Sequence, residues 1–114
     1  MINKEEIRKL ATQIGIAFGA ESVILFGSHA RGTEEKDSDV DLLIIAESSL
    51  PRFKRSREIY RTIHPYPFAV DLVVYTPEEI ERGKRTPVSF VSRILQEGEV
   101  LYDRRDSDRK TVAG

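Results

Sequence analysis

Apolar positions along this 114-residue chain recur with two periods, and the switches between them mark out its elements. Ile7, Leu10, Ile14 and Ala17-Phe18 fall three or four residues apart, which is the spacing of one face of an α-helix. Asn3 stands where an N-cap belongs, Glu5 and Glu6 fall in the first turn where the helix dipole favours acids, and the helix is predicted to end near Gly19. Ser22-Val23-Ile24-Leu25-Phe26 is short, β-branched and aromatic, so it is predicted to be a buried strand that stops at Gly27. His29-Ala30-Arg31 then makes a single helical turn closed by Gly32, and the polar run Thr33 to Ser38 reads as an exposed loop.

Asp39 to Ala46 is nearly continuous apolar after its carboxylates, the pattern of a central strand covered on both faces. A helix is predicted beyond Ser48-Ser49-Leu50-Pro51, with Phe53, Tyr60 and Ile63 facing inward from a surface rich in Arg52, Lys54, Arg55, Arg57 and Arg61. The prolines of His64-Pro65-Tyr66-Pro67 end it, and Phe68 to Tyr75 reads as a third strand interrupted by one acid, Asp71. Thr76-Pro77-Glu78-Glu79 opens a short helix broken at Gly83. Thr86-Pro87 starts another, with Val88, Val91, Ile94 and Leu95 on its apolar side and Gly98 at its close. Glu99 to Asp103 is a last short strand, and from Arg104 onward the apolar pattern is lost. The chain therefore reads as one domain over residues 1–103 with a disordered tail over 104–114. The fold class is α/β: a mixed, mostly antiparallel sheet of about four strands flanked by helices, with the acids at one edge. Strand order does not follow from pattern alone.

Charge and composition narrow the functional classes. Eighteen Lys and Arg against nineteen Asp and Glu leave a net charge of -1, which argues against a general affinity for nucleic acid, and the basic helix reads as a solvated face. With no Cys and only His29 and His64, neither a disulfide framework nor a structural zinc site can be assembled. The chain fits the reducing cytoplasm, and a required metal would be a hard, oxygen-liganded ion. The charged opening has no leader-like apolar stretch and no run approaches the roughly 18 apolar residues of a membrane span, so a soluble protein without a membrane partner is expected. One small domain leaves little room for a separate substrate-recognition domain, so specificity is expected to come from a shallow surface, a partner or a second subunit.

The candidate chemistry sits in Gly27-Ser28 and in Ser38-Asp39-Val40-Asp41. Residues two apart on a strand project to the same face, with Cα atoms roughly 6.5 Å apart, so Asp39 and Asp41 point together. Two carboxylates so placed can share or straddle divalent cations that clamp a phosphoryl displacement, and Mg²⁺ is the natural occupant. If the third strand pairs beside the second in suitable register, Asp71 joins them, either as a further ligand or as a general base toward an acceptor hydroxyl. Gly27 lets the backbone approach a phosphate, Ser28 offers a hydroxyl and an amide at the start of a helical turn, and Arg31 lies one turn on, where it can meet a triphosphate or pair with a loop acid. A P-loop fails because Thr33 stands where its Lys belongs, and Ser28 lacks the second glycine of a hydrolase elbow. A Gly-Ser turn alone is most simply a turn. A strand, Gly-Ser, ten intervening residues, Asp-x-Asp opening an apolar strand, and a third apolar strand carrying Asp together make a far more specific pattern.

Phe26-Gly27-Ser28-His29-Ala30-Arg31-Gly32 through Ser38-Asp39-Val40-Asp41-Leu42 resembles the signature of the DNA polymerase beta-like nucleotidyltransferase superfamily, and in particular its minimal prokaryotic members. The likeness extends through Val70-Asp71-Leu72-Val73 to Glu97-Gly98-Glu99-Val100-Leu101-Tyr102. The resemblance implies that Gly27 and Ser28 hold a nucleoside triphosphate, that Asp39 and Asp41 bind two Mg²⁺, and that Asp71 completes the triad. It implies transfer of AMP from ATP with release of pyrophosphate, and, since many minimal members are antitoxins, a HEPN-type toxin as partner and acceptor. Two other readings stand beside it: a binding module that neutralises its partner by complex formation alone, and nucleotidyl transfer to a small molecule.

Overall fold

In the computed structural model, which describes residues 2–106, four strands form one mixed sheet. Helix α1, Lys4–Ala17, starts at Asn3, whose Oδ1 accepts the Glu6 amide at 2.8 Å. Strand β1, Ser22–Phe26, leads into the short helix α2, Ser28–Arg31, and strand β2 spans Val40–Ile45. A 3-10 turn, Arg52–Lys54, precedes helix α3, Arg57–Ile63, and strand β3, Val70–Tyr75. Helices α4, Pro77–Lys84, and α5, Phe90–Glu97, come before strand β4, Glu99–Asp103.

The sheet order is β3-β2-β1-β4, with β1 antiparallel to both of its neighbours and β3 parallel to β2. Parallel pairing requires a crossover, and α3 supplies it. Side chains alternate between faces. On one, Val23, Leu25, Leu42, Ile44, Leu72 and Val74 pack with Ile7, Leu10 and Ile14 of α1 and with Ile59 and Ile63 of α3. On the other, Ile24, Leu43 and Ile45 pack with Ile80 of α4 and with Val91 and Ile94 of α5. Burying each such Leu or Ile contributes roughly 1.5 to 3 kcal/mol.

Several expectations need correction. The segment after Pro51 is not one continuous helix, and Phe53 is 73% exposed, because the 3-10 turn points it away from the sheet. Val88 is 86% and Leu95 38% exposed. Helix α5 starts only at Phe90, where Ser89 caps it by accepting the Ser92 amide at 3.1 Å, so Val88 lies before the helix, while Leu95 turns outward. The acids lie at one end of the strands and not all along an edge: Asp41 is on the inner strand β2, and Asp71 is on the edge strand β3. Residues 104–106 are helical, and the rest of the expected tail, 107–114, lies outside the described residues. No helix among the described residues is long and apolar enough to cross a membrane.

Candidate active site

Register gathers the site. Asp41 lies opposite Phe26 on β1 and opposite Asp71 on β3, so Phe26, Asp41 and Asp71 share a face with Leu43, Val73, Ile45 and Tyr75. Helices α4 and α5 cover the far end of that face, over Leu43 and Ile45. The acids occupy its other end, Asp41 half-buried, Asp71 exposed, and Asp39 exposed one residue before β2.

The Gly-Ser turn is packed on the central acid. Gly27 has φ +75°, a conformation L side chains rarely adopt, and a Cβ there would run into Oδ2 of Asp41. Its carbonyl accepts the amides of Ala30 and Arg31, both at 3.1 Å, which winds α2 tightly behind it. His29 Nε2 donates to the Ser38 carbonyl at 3.2 Å, tying α2 to the residue just before Asp39. Glycine, helical turn and Asp-x-Asp thus form one unit.

Burial pushes the Asp41 carboxyl up, and the negative charges of Asp71 and Asp39 push it further; His29 and Arg31 oppose this without prevailing. Among the described residues none of the three acids has a Lys, Arg or His within ion-pair distance. Nor, among those residues, are any three acidic, His or Cys side chains drawn together closely enough to hold a metal ion. The structure thus brings Asp41 and Asp71 into register and places Asp39 within electrostatic reach of Asp41.

Arg31 does not pair with a loop acid. Its Nη1 lies 3.6 Å from Oε2 of Glu97 on α5, and both side chains line a cavity of about 210 Å³ with Phe26, Gly27, Phe90 and Arg93. The sequence reading missed this α5 contribution. Phe90, Arg93 and Glu97 recur at helical spacing and so could have been read as one face, but the apolar Val91 and Ile94 drew the assignment instead. Phe90 stacks edge-on to Phe26, ring centres 5.7 Å apart, and walls the cavity.

A four-stranded mixed sheet with a Gly-Ser turn packed against acids at its strand ends defines a nucleotidyltransferase-type α/β domain. The chain belongs to the nucleotidyltransferase domain family, whose model matches residues 6–102. Its relatives include proteins of Methanocaldococcus jannaschii. The one named "Putative protein adenylyltransferase MJ1305" is 35% identical over 88 residues, which are 73% of this chain, and the chain spans only 58% of that protein. "Putative protein adenylyltransferase MJ0141" is 32% identical over 78 residues, 68% of this chain and 75% of its own length. Among solved structures, one described as "a putative nucleotidyltransferase from Sulfolobus solfataricus" shares the fold with a TM-score of 0.62 and 22% identity, covering 89% of this chain and 80% of its own. Another, described as "the toxin-antitoxin with AMP-PNP", aligns with a TM-score of 0.53 and 23% identity over 98% of this chain and 86% of its own.

Proposed function

We propose that this chain transfers AMP from ATP to a hydroxyl group of a partner protein, and that it serves as the antitoxin of a pair whose toxin is of HEPN type. The observation that carries the chemistry is Asp41: a half-buried carboxylate pressed against a glycine turn, faced by a second acid in register, with no cation among the described residues within ion-pair distance of it. Such a group favours a cation that arrives from outside. The names of the Methanocaldococcus relatives support adenylyl transfer, and the toxin-antitoxin description supports a protein partner.

The donor set is all oxygen, which suits Mg²⁺, and Asp39, Asp41 and Asp71 are the residues that would have to draw together around it; two such ions are part of the proposal. Bound there, Mg²⁺ supplies charge neutralisation and polarisation of the phosphates. Gly27 and Ser28 present the turn on which the triphosphate rests, and Arg31, at the cavity wall beside them, faces its negative charge. The acceptor oxygen attacks the α-phosphorus in line, its new P–O bond forming as the bond to the β-bridging oxygen breaks and pyrophosphate leaves. Asp71, the exposed acid of the in-register pair, takes the acceptor's proton.

Incubation with ATP labelled at the α-phosphate, Mg²⁺ and the product of the neighbouring gene tests this. Wild type should label the partner, and Asp39→Ala with Asp41→Ala should lower the rate by about a thousandfold or more. A double variant that still protects cells, with no label in the partner from either protein, would show that complex formation and not transfer is the mechanism.

A further inference from the structure

Asp71 sits on β3, an edge strand, so the ladder to β2 holds it from one side only. Among the described residues no strand pairs with its outer side. The Val70 carbonyl and the Leu72 amide, the backbone groups flanking Asp71, point outward there, and both end on a single atom. The Tyr60 hydroxyl donates to the Val70 carbonyl at 3.3 Å and accepts the Leu72 amide at 2.9 Å. An amide can only donate and a carbonyl can only accept, so one hydroxyl satisfies both groups.

The ring behind that hydroxyl is itself fixed. Tyr60 lies on α3, packs against the core beneath β2 and β3, and meets Tyr66 edge-on with ring centres 5.6 Å apart. Tyr66 in turn meets His64 at 5.6 Å. Asp71 faces Asp41 directly across the ladder, and like charges directly opposite each other weaken a strand pair, so a second hold on this strand end matters.

We propose that Tyr60 is a positioning residue for nucleotidyl transfer: by bonding the backbone on either side of Asp71, it fixes the strand end from which that carboxylate meets Asp41 and the acceptor. The role rests on the transfer reading above. It acts through Asp71 and does not touch substrate. Neither composition nor helical periodicity exposes it, since an inward tyrosine on an amphipathic helix reads as core.

Tyr60→Phe keeps the ring and removes both bonds. The expected result is a fall of about tenfold in kcat for AMP transfer, since misplacement of a reacting group is costly. KM for ATP should stay within about twofold and Tm within a few degrees. In an Asp71→Asn background the same change should have no further effect on kcat, the signature of two residues acting as one unit. An active wild type whose kcat is indifferent to Tyr60→Phe overturns the role, as does an equal loss with and without Asp71. Hydrogen exchange at the Leu72 amide supplies a readout without turnover: it should quicken in Tyr60→Phe while the β1–β2 amides keep their rates, and an unchanged rate also overturns the clamp. A wild type that transfers nothing overturns the transfer reading, and is distinguishable from an active protein that ignores Tyr60→Phe.

Discussion

Asp41 and Glu79 stand near opposite ends of the β2–β3 pair, and burial acts on each to raise its pKa, yet they depart from the ordinary carboxylate value in opposite directions. At Glu79 burial is outweighed by hydrogen bonds from Arg55, from the Thr76 backbone and from Arg52, which bring the carboxyl from 4.5 to about 2. The carboxylate and the Thr76 hydroxyl form a reciprocal cap at the start of α4. Arg55, its side chain only 9% exposed, also donates to the Leu50 carbonyl at 2.8 Å and to the Val74 carbonyl on the outer edge of β3 at 3.2 Å. At Asp41 burial and the charges of Asp71 and Asp39 outweigh the opposing pull of His29 and Arg31. Among the described residues, the fold therefore pairs two arginines with an acid that caps a helix and brings none within ion-pair distance of Asp41. The contrast separates a carboxylate held by the protein's own cations from one that, under the proposed function, receives its cation with the nucleotide.

Breaking the structural side should cost the most stability. Arg55→Ala leaves a largely buried Glu79 without its best partner and should destabilise the domain by about 3 kcal/mol in chemical denaturation, with transfer by the folded fraction intact. On the other side, Gly27→Ala must strain a positive φ and displace the Asp41 carboxylate. A loss of about 2 kcal/mol of stability is expected, together with a fall of about a hundredfold in AMP transfer. Activity should therefore suffer from Gly27→Ala and not from Arg55→Ala, and equal activity losses would erase the distinction.

The smallest effect is in acid. The Glu79 pKa is depressed in the folded state, so its contribution is present above pH 4.5 and is lost as pH falls toward 2. Denaturation across that window should show about 1 to 2 kcal/mol of stability that disappears in Glu79→Gln, the two proteins converging near the acid end. A wild-type profile with the same slope as the variant would mean that the arginines do not hold this acid as described.

Much of this contrast was legible in the chain and some was not, for identifiable reasons. Strands β1 and β4 match their expected spans residue for residue, because short β-branched runs bounded by glycine leave little choice. The Asp-x-Asp pair and Gly27 were visible as spacing. Their contact was not, because the approach of Gly27 to Asp41 depends on an antiparallel register that pattern does not encode. The pairing of Asp41 with Asp71 depends likewise on β3 lying parallel beside β2. Phe53 and Val88 were misassigned because helical periodicity was extended through residues that form a 3-10 turn and a capping loop. Arg55 read as one more surface charge, and only the tertiary fold turns it inward onto Val74 and Glu79. Isolated sequence signals locate acids well, but which of them keeps a cation of its own is decided by packing.

The central claim is that Asp41 is arranged for an external cation brought with a nucleotide, and equilibrium binding of a non-hydrolysable ATP analogue tests it without knowledge of the acceptor. Affinity should be measured with Mg²⁺ and with the metal chelated, for wild type and for Asp41→Asn. Wild type should bind at least about tenfold more tightly with Mg²⁺, and Asp41→Asn should lose most of that gain. A wild-type affinity that is the same with and without the metal would contradict the account.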